Sequence, residues 1–226
     1  YADAAQYSLN SVYADYIRAK KETRPGDDSP GGNGRPASSA EAGEAVGLEG
    51  KRIALCFQGG TGTAALADAL ESYGAGAAFF FTPEEMERQG GVLRRLAAGG
   101  QSIGILADAA DRSRTVDEQL EAGNAALFRA TCGKTRLACL QGGGPQAQRE
   151  AEEAGFRCLR PDLDRSGSAL RNASGAQELV RRLASWRGDA AVWLGDSATP
   201  AGLRAFLAAA REAGGKCAVY TEAGLR

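Results

Sequence analysis

Along the chain, short uninterrupted apolar runs alternate with longer stretches where apolar residues recur every three or four positions. The runs are bounded by charge or glycine and predict buried strands at 53–57, 77–81, 102–107, 135–140, 156–159, 190–194 and 216–220. The periodic stretches predict helices between them. Ala65, Leu66, Ala69, Leu70 and Tyr73 form one apolar face, with Gly74 and Gly76 as its stop. Pro83, Glu84 and Glu85 open a second helix that carries Val92, Leu93 and Leu96 and stops at Gly99 and Gly100. Thr115 and Glu118 have capping-box spacing ahead of Leu120, Gly123, Asn124 and Leu127. A short polar helix over 146–154, a helix over 177–186 and one over 200–213 complete the pattern; Leu203, Phe206, Leu207 and Ala210 align on the last. Strands alternating with helices mean an α/β fold with parallel strands, either a barrel or an open sheet.

The first 50 residues read differently. Ala5, Leu9, Val12, Tyr13, Tyr16 and Ile17 share a face, which predicts a helix over 1–23. It serves either as a stalk that packs on a partner or as a helix docking on its own domain. Residues 24–50 are rich in Pro, Gly, Ser, Ala and Glu and too poor in apolar side chains to offset the entropy of ordering. They predict a flexible linker, leaving 51–226 as the folded domain.

Composition narrows the chemistry. Among 226 residues the net charge is −1, and no basic stripe points to nucleic acid. No apolar run approaches the ~20 residues of a membrane span. The chain starts at Tyr1 and shows no signal peptide, so an export signal or anchor upstream is compatible with it. There is no histidine, which removes Ser-His-Asp catalysis, Cys-His catalysis and histidine zinc sites. Five cysteines, Cys56, Cys132, Cys139, Cys158 and Cys217, form no C-x-x-C pair. Four lie in or beside strands and read as small buried hydrophobes.

Residues 51–82, KRIALCFQGGTGTAALADALESYGAGAAFFFT, form a strand–turn–helix–strand unit. Cys56-Phe57-Gln58-Gly59-Gly60 followed by Ala77-Ala78-Phe79-Phe80-Phe81-Thr82 resembles the opening of the NodB-like polysaccharide deacetylases, carbohydrate esterase family 4. That family typically has T-F-D-D-G-P and then K-A-T-F-F-V-T. The resemblance runs from 51 to about 222 and implies a distorted seven-stranded (β/α) barrel. Gly99 to Gly104 is similar to the family's G-H-E-I-G-N, which places Leu106 and Ala110 where it has two metal-binding histidines. Gln58 stands for the catalytic base and Gly59 for the third metal ligand. Cys139-Leu140-Gln141-Gly142-Gly143 aligns with R-P-P-Y-G, so Cys139 replaces the arginine that orients the base. Gly167-Ser168 falls nearest to the family's D-W pair. Trp193-Leu194-Gly195-Asp196 aligns with L-L-H-D, so Gly195 replaces the histidine general acid while Asp196 remains.

Deacetylation of this type needs a divalent metal to activate water, a carboxylate to accept a proton and an imidazole to donate one. The aligned residues supply none of these, and no cofactor is expected. The resemblance therefore implies a non-catalytic module that binds a glycan or a cell-envelope protein, extracellular or at the cell surface. The competing reading is a residual or rebuilt carbohydrate deacetylase. The small side chains at Gly59, Gly142, Gly143 and Gly195 predict a hollow lined by Gln58, Asp108, Gln141 and Asp196, either kept for binding or vestigial. If only side chains were lost, Gln58→Asp, Gly59→Asp, Leu106→His and Ala110→His should restore metal binding. The turn Gly59–Thr63 reads as a tight strand-to-helix turn or, with less support from its spacing, as a phosphate cradle. Cys139 at a strand end has no histidine to activate it as a nucleophile. Asn172-Ala-Ser174 matches a glycosylation triplet.

Overall fold

A computed structural model describes residues 47–225. The expected helix over 1–23 and most of the expected linker lie outside the described residues. The linker's expected end is corrected, because Leu48 is fully buried and its N–H donates to the Ala213 carbonyl at 2.7 Å. The folded part therefore reaches back at least to Leu48.

The central sheet contains β1 (Arg52–Gln58), β2 (Ala78–Phe81), β3 (Ser102–Asp108), β4 (Leu137–Gln141), β5 (Arg157–Cys158), β6 (Leu163–Asp164), β7 (Ala190–Gly195) and β8 (Lys216–Ala218). Its order is β5-β4-β3-β2-β1-β7-β6, and every pairing is parallel. β8 pairs with residues 52–54 of β1, in line with β2, which takes residues 56–58. A short hairpin, β9 (Tyr220–Thr221) with β10 (Gly224–Leu225), follows. The helices are α1 (Thr63–Tyr73), α2 (Pro83–Arg88), α3 (Gly90–Ala98), α4 (Val116–Thr131), α5 (Pro145–Glu153), α6 (Ala173–Ser185) and α7 (Pro200–Glu212). This is the curled, distorted (β/α) barrel that the family resemblance implies. None of these helices is long and apolar enough to cross a membrane.

All seven expected strands are present, but the barrel path uses them differently. The run at 216–220 splits into β8 and the first hairpin strand, and β6 takes the last place beside β7. Residues 159–162 cross from β5 to β6 without a helix. Leu159 N–H donates to Ala138, and Asp162 N–H to Ala191 at 2.8 Å. The helix expected after Pro83 breaks at Gln89 into α2 and α3. The helix expected from 177 begins earlier, at Ala173, because Asn172 caps it by accepting from Gly175 N–H at 2.9 Å. The Thr115–Glu118 capping box forms as read.

Alternation along the strands divides the core in two. Ile53, Leu55 and Phe57 face the helices, together with Phe79, Phe81, Leu93, Leu120 and Phe206. Ala54, Cys56, Ala78, Phe80, Leu106, Cys139 and Trp193 face the inside of the curl. The inner residues of β1 and the start of β2 are small, and the large Phe80 and Trp193 fill the inside of the curl. Three side-chain amides lock strand ends by pairing with both backbone groups of another segment. Gln101 binds Ala77 N–H and Ala75 C=O, Gln119 binds both groups of Asp108, and Asn124 binds both groups of Thr135.

Candidate functional site

The strand C-terminal ends form a mouth above the inner core. By alternation, Gln58, Asp108 and Gln141 follow Cys56, Leu106 and Cys139 on the inner face. Asp164 pairs in register with Trp193 of the inner cluster. The rim thus holds two amides and two carboxylates. Asp108, Gln141 and Asp164 are exposed, and Gln58 is half-buried. Beneath them lie Phe80, Leu106, Cys139 and Trp193; Phe80 and Trp193 meet edge to face at 5.9 Å.

Asp108 is well fixed. The buried Gln119 side chain accepts from its N–H and donates to its C=O, both at 2.8 Å. Its carboxylate accepts from Ala110 N–H at 2.8 Å. Gly142 lies across from this turn, with a positive φ of 66°. A Cβ there would meet Asp108 Oδ1 and Ala110 Cβ at 3.0 Å each. Leu106 is buried inside the curl beside Cys139, its register partner, while Ala110 is exposed beyond the strand. β3 continues two residues past Leu106, so the two aligned histidine positions straddle a strand end.

Gly195 ends β7 after a register shift opposite β1, with φ 59°. A Cβ there would lie 3.0 Å from Ser166 Cβ, so a side chain would be both strained and crowded. Asp196 is exposed beyond it and lines a cavity of about 310 Å³ with Gln58, Gly59, Thr61, Glu85 and Ala198.

The turn before α1 opens with two glycines whose N–H groups are both bonded. Gly59 N–H donates to Phe80 C=O at 2.7 Å, and Gly60 N–H donates to Thr63 Oγ1 at 2.9 Å. Glu85 and Asp196 bring carboxylates to the same cavity. Arg88 and Gln89 hold the Glu85 carboxyl below its usual range. These two carboxylates oppose an anion in the cavity, although α1 opens without a side-chain cap.

The aligned positions do not fit the divalent metal that the fold implies. Gly59, Leu106 and Ala110 have no ligand atoms in their side chains. Among the described residues, no three His, Cys, Asp or Glu side chains group where they could hold a metal ion. Burial, with smaller contributions from Cys158 and Asp164, pushes the Cys139 thiol up to about 12. A thiol so stabilised in its protonated form is a poor nucleophile. Burial also pushes Cys217 up to about 12 and raises Cys56 and Cys158, whereas Cys132 is exposed. At pH 8 an aromatic disulfide reagent should therefore label Cys132 rapidly, the half-buried Cys217 more slowly, and Cys56, Cys139 and Cys158 only on unfolding. Loss of a further thiol in the folded protein, abolished by Cys139→Ser, would show Cys139 to be accessible and reactive.

Of the residues expected to line one hollow, Asp108 and Gln141 are register partners on β3 and β4, while Gln58 shares a cavity with Asp196. Cys139 lies in the floor rather than on the rim. Asp164 was missed because it sits in a two-residue strand; the Pro161-x-Leu163 segment before it was the only local signal.

No protein-family profile matches the sequence, and no curated protein is similar to it in sequence. Similar solved structures do exist. The polysaccharide deacetylase Bc1974 from Bacillus cereus superposes with a TM-score of 0.62 at 16% identity, over 76% of this chain and 93% of that one. The peptidoglycan deacetylase PdaC from Bacillus subtilis gives 0.60 at 16% identity, over 74% and 86%. BA3943, a pseudoenzyme of carbohydrate esterase family 4 from Bacillus anthracis, gives 0.60 at 17%, over 74% and 63%. A mutant of BA3943 has restored enzymatic activity.

Proposed function

We propose that this chain, which has the fold of the carbohydrate esterase family 4 deacetylases, is a non-catalytic module that binds a glycan or a protein partner at a cell surface. One observation carries the reading: every position aligned with the family's base, metal ligands and general acid lacks the group that the chemistry requires. The replacements are also built into the structure, with Gly195 in a left-handed conformation and Leu106 packed in the floor. BA3943 supports the reading, since a chain of this fold can exist as a pseudoenzyme. PdaC, a peptidoglycan deacetylase, supports a cell-surface setting.

The rim is suited to hydroxyl-rich ligands. Gln58 and Gln141 each offer donors and an acceptor, while Asp108 and Asp164 accept. The test pairs two measurements on the same protein. Incubation with N-acetylglucosamine oligomers, with and without added zinc or cobalt, should release no acetate. Cosedimentation with insoluble peptidoglycan should retain the protein, and Asp108→Ala with Gln141→Ala should weaken retention roughly tenfold. Metal-dependent acetate release would establish the competing reading, a residual deacetylase. Retention unchanged in the double variant would move binding away from the mouth.

A further inference from the structure

Glycine at position 59 is not required by the backbone, because its φ lies outside the left-handed region. It is required by a neighbour. A Cβ built there would run into Cγ, Cδ1 and Cε1 of the Phe81 ring. The ring has nowhere to go. Phe81 is fully buried in β2, its strand is held between β1 and β3, and it belongs to the same core cluster as Leu66, Met86 and Leu93. The Gly59 N–H bond to Phe80 C=O extends the β1–β2 pairing and fixes the backbone on which this contact depends.

Direction matters as much as space. Phe57 faces the helices, Gln58 faces the mouth, and Gly59 faces Phe81 on the helix side again. A carboxylate at 59 would enter an apolar layer, where an unpaired charge is strongly disfavoured. It would point away from the rim that Asp108 and Gln141 form.

We infer that position 59 has become a packing socket for Phe81, so replacing the aligned side chains alone cannot rebuild the metal site of the deacetylase fold in this chain. The inference rests on the non-catalytic reading for the alignment of Gly59 with a metal ligand; the socket itself rests on packing. It runs against the expectation that Gln58→Asp, Gly59→Asp, Leu106→His and Ala110→His would restore metal binding. Loss of the site here includes a rearranged core as well as missing ligands.

The test is a double-mutant cycle read by urea unfolding. Gly59→Ala should lower the midpoint in the parent background. In the Phe81→Val background, where most of the ring is gone, the same change should leave the midpoint unchanged or raise it. Equal effects in the two backgrounds would overturn the socket. Zinc calorimetry of the four-fold variant supplies the second readout. It should bind no zinc stoichiometrically and should unfold at lower urea than its Phe81→Val derivative. One-to-one zinc binding by the four-fold variant would overturn the inference even if the cycle showed coupling. Acetate release by the parent protein would sink the non-catalytic reading and leave the cycle unaffected.

Discussion

Phe80→Ala should lower stability by about 3–5 kcal/mol, the usual range for deleting a buried aromatic ring. Phe80 is fully buried, stands edge to face with Trp193 and covers Gly104 on the neighbouring strand. Those contacts join β2, β3 and β7 across the inside of the curl, where Ala54, Cys56 and Ala78 are too short to close the gap. Relaxation around the hole is limited because the small residues cannot reach in. Urea unfolding should show a reduced midpoint with an unchanged slope. Near-ultraviolet dichroism should weaken, since Trp193 loses its asymmetric partner. Phe80→Leu keeps most of the volume and should cost about 1–1.5 kcal/mol. If Ala and Leu cost the same, ring volume is not what holds the walls apart.

Lys51→Met should cost about 2–3 kcal/mol through a different mechanism. The Lys51 ammonium donates to the carbonyls of Leu183, Ala184 and Trp186 at 2.8, 2.8 and 2.7 Å. Those carbonyls lie at the C-terminal end of α6, where the helix leaves acceptors unpaired and its dipole is negative. A hydrogen bond to a charged group contributes roughly 1.5–3 kcal/mol, and water partly replaces the donor at this half-buried site. Methionine keeps the stem's packing, so the loss measures the charge and its bonds. Thermal unfolding is the measurement, with Lys51→Arg as a partial rescue. A methionine variant as stable as the parent would mean that water serves the helix end equally well.

Local rules in the sequence were read well because they have local causes. The apolar runs of β1 and β7, the Thr115–Glu118 capping box and the prolines opening α2 and α7 all act within a few residues. Elements that depend on distant partners were not legible in the same way. β6 has only two residues and exists because β7 offers it an edge. The run at 216–220 divides because only its first half finds β1. Gln119 reads as an ordinary polar helix residue until Asp108 is brought against it. At the candidate site the residue types were visible but their directions were not. Gln58 and Gly59 are adjacent in sequence, yet one belongs to the mouth and the other to the outer core. The register with β2 decides that difference, and a pattern of apolar residues does not specify register between distant strands.

The two ends of the described chain lie on the same side of the sheet. Leu48 is bonded to the end of α7, and the Arg52 guanidinium reaches the Leu225 carbonyl at 3.4 Å. Both points lie where the strands begin, and the rim lies where they finish. Within the described residues, then, both ends sit on the side of the sheet away from the rim.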